Sequence, residues 1–203
     1  MSNVTIRPAR KSDAAFIAEG LINAIGEAHC KELAGAHHTV EDVRALFESM
    51  AIREDTQYSY LNASVAVDDR DTPVGVCVCY DGERLEEMRR PFLEVAVPMF
   101  GLEGTVPDET DAAEVYLDTL YVLPRARKCG VGRTLIEDAA KKGAKIGKPL
   151  GLLCDYTNTR AQRLYTSCGF KDVGGRNFFG TVMRHMLRPN LNRDAGQLDS
   201  SNC

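Results

Sequence analysis

Apolar residues recur along this chain with two periods, two and about 3.6, and the points where one gives way to the other mark its elements. Val4-Thr-Ile-Arg-Pro8 predicts a short first strand. Ser12-Asp13 can cap a helix whose apolar face is Ala14, Ile17, Ala18, Leu21 and Ile25, ended by Gly26. A polar link with His29, His37 and His38 leads to Thr39, which can cap a second helix carrying Val43, Phe47 and Met50. Residues 58–67 and 74–80 alternate as two antiparallel strands around the polar turn 68–73. The segment 82–90 has helical spacing. Pro91 lacks a backbone donor and is expected to break, kink or restart that helix, and Pro98 limits its continuation. An acidic loop follows over 101–112, carrying Glu103, Asp108, Glu109 and Asp111.

The pattern is clearest between residues 114 and 170. Ala113-Glu-Val-Tyr-Leu-Asp-Thr-Leu-Tyr-Val-Leu-Pro124 has the β-branched, apolar character and flanking proline of a buried strand. Val131, Leu135, Ala139 and Ile146, with Ile136 and Ala140 beside them, then recur at helical spacing against Arg133, Glu137, Asp138, Lys141, Lys142 and Lys145. Glu137–Lys141 and Asp138–Lys142 stand at i,i+4, and Gly147 and Pro149 stop the helix. Leu150-Gly-Leu-Leu-Cys-Asp155 is the next buried strand, which makes a right-handed parallel crossover with the first. Ala161, Leu164, Tyr165 and Cys168 share one face of a last helix closed by Gly169. Residues 170–173 and 178–187 are expected to pair as a hairpin around Gly174-Gly175, leaving a loose polar tail over 188–203.

Between the long strand and its helix lies Arg127-Lys-Cys-Gly-Val-Gly-Arg-Thr134. The first turn of a helix leaves backbone N–H groups unpaired and carries partial positive charge, so anions collect there. Gly130 and Gly132 let the backbone approach a ligand, and Arg127, Lys128 and Arg133 add cationic charge, which points to a pyrophosphate. A P-loop does not fit, because Arg127 stands where its first glycine belongs and Arg133 where its lysine belongs. A dinucleotide turn lacks its third glycine, Leu135 standing there, although Asp155 could serve as a ribose ligand.

The pattern Pro124-x-x-Arg127-x-x-Gly130-x-Gly132-x-x-Leu135, after Leu120-x-Val122, resembles the acetyl-CoA pyrophosphate signature of the GNAT superfamily of N-acetyltransferases. Asn158-x-x-Ala161-x-x-Leu164-Tyr165-x-x-x-Gly169-Phe170 resembles the family's other cofactor motif. The resemblance covers roughly residues 63–187 and departs from the family at Ala126 and Cys129. It implies one α/β domain over 1–187, with a central mixed, mostly antiparallel sheet, one parallel crossover and flanking helices. It also implies acetyl-CoA as co-substrate and no metal.

In the family the two parallel strands splay to admit the pantetheine arm. The main chain at Leu120, Tyr121 and Val122 would then pair with it, and the Leu120 N–H could donate to the thioester oxygen. The resemblance gives the pyrophosphate to Arg127, Lys128, Cys129, Gly130, Val131, Gly132, Arg133 and Thr134, and a further cofactor contact to Asn158, which can also cap its helix. Tyr165 matches the family tyrosine that stands near the CoA sulfur and protonates the leaving thiolate. An amine with a pKa near 10 must lose a proton before it attacks. Asp118 and Glu114, four apart and therefore expected on one strand face, are the candidate bases, and each could equally be a salt-bridged structural carboxylate. The loop 101–112 is either solvated surface or a lid that attracts a cationic amine, and the loop histidines are either solvated or touch the acceptor.

At 203 residues the chain suits one core, and its formal net charge of −4, with no basic run, argues against nucleic acid as a partner. No apolar stretch approaches the roughly 20 residues of a membrane span. The amino terminus lacks a signal-peptide core, so a cytoplasmic location is expected. Seven cysteines show no paired metal-ligand spacing and read as small buried thiols. Cys77 and Cys79 share a strand face, and Cys129 stands apart inside the cationic turn. The expected partner is a small primary amine, with a homodimer left open. The alternatives are a protein or peptide N-acetyltransferase, a CoA-binding sensor without turnover, and a nucleotide-binding regulator using Gly130 and Asp155.

Overall fold

The computed structural model describes residues 4–190. Strands β1 (Thr5–Pro8), β2 (Ala63–Val67), β3 (Pro73–Asp81), β4 (Val115–Val122), β5 (Leu150–Cys154), β6 (Lys171–Phe178) and β7 (Thr181–Arg188) form one sheet in the order β1-β2-β3-β4-β5-β7-β6. Neighbours are antiparallel except β4 and β5, which the crossover through helix α5 (Val131–Lys145) makes parallel. One face carries α1 (Ala14–Ile25), α3 (Val40–Ile52) and α4 (Leu85–Phe100), whose Ile17, Leu21, Phe47, Met50, Met88 and Phe92 pack with Val76, Val78, Tyr80 and Tyr116 of the sheet. On the other face, Val131, Leu135, Ile136 and Ala139 of α5 meet Cys77, Cys79, Leu117 and Leu152, with α6 (Thr159–Ser167) laid beside them. This is the single mixed α/β domain expected, with a core on each face of the sheet.

The caps at Thr39 and Asn158 are as expected. Thr39 and Asp42 form a reciprocal capping box, and Asn158 Oδ1 accepts from the Ala161 N–H at 3.1 Å. Of the two helix-face pairs, Lys142 reaches Asp138 at 3.9 Å, whereas Glu137 turns to Arg188 of β7.

Four expectations are corrected. The link after α1 contains a helix, α2 (Glu27–Ala34), set off by Gly26 and Gly35 at positive φ, and its short apolar stripe of Cys30 and Ala34 was too sparse to register as a period. β2 begins at Ala63, not at residue 58. Residues 56–62 instead form a loop and a 3-10 turn, held by side chains that take over backbone groups: Thr56 donates to the Met50 carbonyl, Ser59 to that of Arg53, and Asn62 to those of Thr56 and Gln57. α4 runs through both Pro91 and Pro98. The turn around Pro91 is held from outside, because the Met88 carbonyl accepts from the Gln57 N–H at 3.1 Å while Pro91 and Phe92 are buried. Gly174-Gly175 lies within β6, paired with β7 just after a bulge at Val173, and the hairpin turns at Phe179-Gly180, both at positive φ, as a tight two-residue turn requires. The tail expected from Arg188 lies, from residue 191 on, outside the described residues.

Candidate active site

The glycine turn is built as its composition demands. Lys128 (φ 64°) and Gly130 (φ 82°) are left-handed, and Gly130 caps α5. The first bond of the helix runs from the Thr134 N–H to the Gly130 carbonyl, so the amides of Val131, Gly132 and Arg133 precede it and point out of the helix end. The Thr134 hydroxyl donates to the same carbonyl at 3.2 Å. A Cβ on Gly132 would lie 3.6 Å from Leu164 of α6 and 3.8 Å from Val122 of β4, so the turn faces the strand end and α6 together. The basic side chains are engaged locally. Arg127 Nε donates to the Val122 carbonyl at 2.8 Å, and Arg133 bridges to the Ser167 carbonyl and hydroxyl at 2.9 Å. Cys129 is exposed on this turn, and Cys30, Cys77, Cys79, Cys154 and Cys168 are buried.

Below the turn, β4 and β5 separate. Val115 pairs with Leu150 and Tyr116 with Gly151, and there their pairing stops, while β5 stays in register with β7 to Cys154 and β4 continues to Val122. The β4 edge from Leu117 to Val122 therefore faces a gap, and that gap opens toward the glycine turn. Leu120 and Val122 border the α5 side of it. The Tyr121 ring goes to the other face, packing near Phe16 and donating to Glu19 Oε1 at 3.0 Å.

A phenol stands on one side of this gap. Tyr165 of α6 packs edge-on to Phe170 with ring centroids 5.6 Å apart, and the thiols of Cys154 on β5 and Cys77 on β3 act electrostatically on its hydroxyl. β4 lies between those two strands, and Cys77 pairs with Leu120 in it, so the hydroxyl stands over β4 at the level of Leu120. Burial, reinforced by the thiols, pushes the phenol above the ordinary tyrosine range and keeps it protonated.

A carboxyl stands on the other side. Between Val78↔Thr119 and Cys79↔Leu117 the β3–β4 register slips, and Asp118 is the extra residue of that bulge. Its Oδ1 accepts from the Thr119 hydroxyl at 2.8 Å and its Oδ2 from the Tyr80 hydroxyl at 3.1 Å. Burial pushes the carboxyl up to about 7, and the neighbouring Glu109 charge adds to the rise. Tyr58, Tyr80 and Tyr116 are raised by burial and then by Asp118 and Glu109, so all three rings stand close to both carboxylates.

Glu114 and Asp118 share a face as expected, because the register slips only beyond Asp118, and both carboxylates act on Tyr116 between them. Glu114, 2% exposed, precedes β4 and occupies the space a side chain on Gly151 would fill. It accepts from the Thr110 hydroxyl at 2.7 Å and meets His185 Nε2 of β7 at 2.9 Å. Asp111, Glu114 and His185 bring ligand atoms within 4.8 Å of one another, the arrangement that could hold a cation. Arg176 already pairs with Asp111 there, and His185 with Glu114.

The acidic loop was expected either as solvated surface or as a lid, and it is neither along its whole length. Glu109 and Thr110 are buried beneath it. Glu109 takes the Arg89 guanidinium of α4, the Tyr80 hydroxyl at 2.8 Å and Gln57 Nε2 at 3.3 Å. Tyr80 and His185 were not singled out from the sequence, and Glu109 only as one acid of the loop. The one available signal was a glutamate followed by a threonine, which is no motif. Of the histidines, His38 packs edge-on to Phe100 at 5.2 Å and His29 lies close enough to Asp155, at the end of β5, to act on that carboxyl. Asp155 itself is satisfied by Thr157, whose N–H and hydroxyl both donate to it at 2.6 Å.

A helix-flanked sheet that parts its single parallel pair below a glycine turn leaves an open strand edge leading to a helix end suited to an anion. Residues 23–170 match the model of the Acetyltransferase (GNAT) family, and the chain belongs to that family. It is therefore an acyltransferase. The chain is 45% identical over 58 residues to the D-amino-acid N-acetyltransferase HPA3 of Saccharomyces cerevisiae, a match spanning 28% of this chain and about a third (36%) of the yeast protein. A solved acetyltransferase structure, 28% identical, superposes with a TM-score of 0.71 over 91% of this chain and 98% of its own. The protein yncA of Salmonella typhimurium, solved with its cofactor acetyl-CoA, shares the fold at 19% identity and a TM-score of 0.55 over 93% of this chain and 95% of its own. Among the described residues no helix is long and apolar enough to cross a membrane.

Proposed function

We propose that the protein transfers an acetyl group from acetyl-CoA to a primary amine of a small molecule, which attacks directly within a ternary complex. The observation that carries this is the gap between β4 and β5, with the Tyr165 phenol on one face and the Asp118 carboxyl on the other. The residues around the gap fit the co-substrate. The amides of Val131, Gly132 and Arg133 suit a pyrophosphate, the open edge at Leu120, Tyr121 and Val122 suits an extended amide-bearing arm, and Asn158 fixes the start of α6 beside it. Arg127 would release the Val122 carbonyl to let that arm pair there.

When bound, the co-substrate supplies an acyl group activated as a thioester. Asp118 is the base: a carboxyl poised near neutrality can take a proton from an ammonium and is still ionised in a useful fraction of molecules. Tyr165 is the acid: its phenol carries a proton throughout the neutral range and stands beside the gap, and because burial makes it a weaker acid it would hand that proton over only as the basic thiolate forms. Glu114, tied to His185 and Thr110, acts as a structural carboxylate and not as a second base. The acceptor class follows from the carboxylates around the gap, Asp118 and Glu109, which favour a cationic amine. The yeast relative's activity on D-amino acids, as its name has it, is the reason to try them among the acceptors.

Thiol release from acetyl-CoA, measured against amines, polyamines, aminoglycosides, D- and L-amino acids and peptides, tests the reading. At least one small amine is expected to be turned over. With it, Asp118→Asn should lower kcat about 10²–10⁴-fold, and Tyr165→Phe should lower kcat while leaving acetyl-CoA affinity unchanged. Release with no member of the panel, or turnover of peptides alone, overturns the small-molecule reading.

A further inference from the structure

We propose that Glu109 and Tyr80 complete the base. The Tyr80 hydroxyl is a single proton shared by two carboxylates, serving Asp118 while that group is ionised and turning to Glu109 once Asp118 has been protonated. The proposal rests on reading Asp118 as the base, and both partners are positioning residues that act through it.

The geometry is that of a shared donor. Tyr80 Oη lies 2.8 Å from Glu109 Oε1 and 3.1 Å from Asp118 Oδ2. A phenol has one hydrogen, so it satisfies one carboxylate at a time. Glu109 is the fixed end of the chain. Its Oε2 is held by the Arg89 guanidinium and its Oε1 also takes Gln57 Nε2, and Arg89 is in turn anchored to Asp108 at 3.0 Å. Asp118 is the variable end, because its Oδ1 is held by Thr119 while Oδ2 faces the phenol.

Proton removal then balances without further reactants. The N–H bond of the ammonium breaks and an O–H bond forms on Asp118. The Tyr80 O–H bond stays intact and rotates toward Glu109, leaving the phenol oxygen free to accept from the new Asp118 O–H. In both states each buried oxygen keeps a partner, which avoids the cost of an unsatisfied polar group beside three aromatic rings.

The titratable and charged groups facing Asp118 come from every side. They are Tyr80 on β3, Tyr116 on β4, Tyr58 ahead of β2, Glu109 from the loop and Arg89 from α4, while α1 sends its Glu19 to Tyr121 instead. Two of them act on Asp118 in opposite directions. The Glu109 charge opposes ionisation, and the Tyr80 hydrogen bond favours it.

That opposition supplies the test. In full-length protein carrying ¹³C at its aspartate side-chain carboxyls, the Asp118 resonance is assigned by its loss in Asp118→Asn and titrated in wild type, Glu109→Gln and Tyr80→Phe. The midpoint is expected to fall by about one pH unit in Glu109→Gln and to rise in Tyr80→Phe. A general loosening of the fold would expose Asp118 and lower both midpoints, so movement in the same direction, or in neither variant, overturns the proposal. The titration needs no acceptor and is thus independent of turnover. If opposite shifts are found but Asp118→Asn keeps wild-type kcat/KM and its acid limb, the shared proton stands and the catalytic assignment of Asp118 falls.

Discussion

Asp118 opposes folding when it is ionised, and the pH at which it does so can be worked out. Its carboxyl is raised from 3.8 to about 7 in the folded chain by burial and then by Glu109. Below the unfolded value both states hold the proton, and the residue is neutral to stability. From there up to about 7 the unfolded chain gives up its proton first, so folding loses ground as pH rises, and above the folded value the loss is constant. Asp118→Asn should therefore melt at a progressively higher temperature than wild type between about pH 4 and 7, with a constant advantage above that. A difference in Tm that does not change with pH would show that the carboxyl is not raised. Sequence could nominate Asp118, because a carboxylate in an apolar strand stands out. It could not connect that residue with Tyr80 and Glu109, which lie 38 and 9 residues away and reach Asp118 through a bulge that strand alternation does not encode. The inference that Glu114 and Asp118 share a face holds, because the slip in register falls after Asp118.

Elements whose signals are local were legible. The strand, glycine turn and helix from Val115 to Lys145, the capped starts of α3 and α6, and the strand at Leu150 follow from neighbours a few residues apart. Elements decided by distant partners were not. α4 runs on past Pro91 with its Met88 carbonyl taking the Gln57 N–H from outside the helix, and β2 starts late because three side chains hold the segment before it in another shape. The glycine turn yields its own prediction. Gly132 has ordinary room for a methyl group, with Leu164 at 3.6 Å, so Gly132→Ala should still bind CoA. Gly132→Glu places bulk and negative charge among the free amides and should abolish retention on CoA-agarose at an unchanged Tm. Retention of the glutamate variant would move the pyrophosphate site elsewhere.

At the scale of the whole molecule, the family resemblance carried what periodicity could not, namely that adjacent parallel strands part company. The consequence can be measured. A ligand that binds the folded chain alone at a hundred times its Kd adds about 2.7 kcal/mol of stability, and here the gain should be concentrated along the gap. CoA is expected to slow amide hydrogen exchange at residues 117–122 of β4 and at the start of α5 while leaving β1 and β2 at their former rates. Uniform slowing, or none at β4, would count against a guest between the strands.

Among the described residues two residue pairs, Val115–Leu150 and Tyr116–Gly151, make up the strand pairing between the four-strand panel β1–β4 and the three-strand panel β5–β7. Whatever lies along the open edge becomes a strut of the architecture as well as a reagent. Were the co-substrate to lie there as proposed, its release would take away that support, and the opening of these panels would then be one step of the cycle.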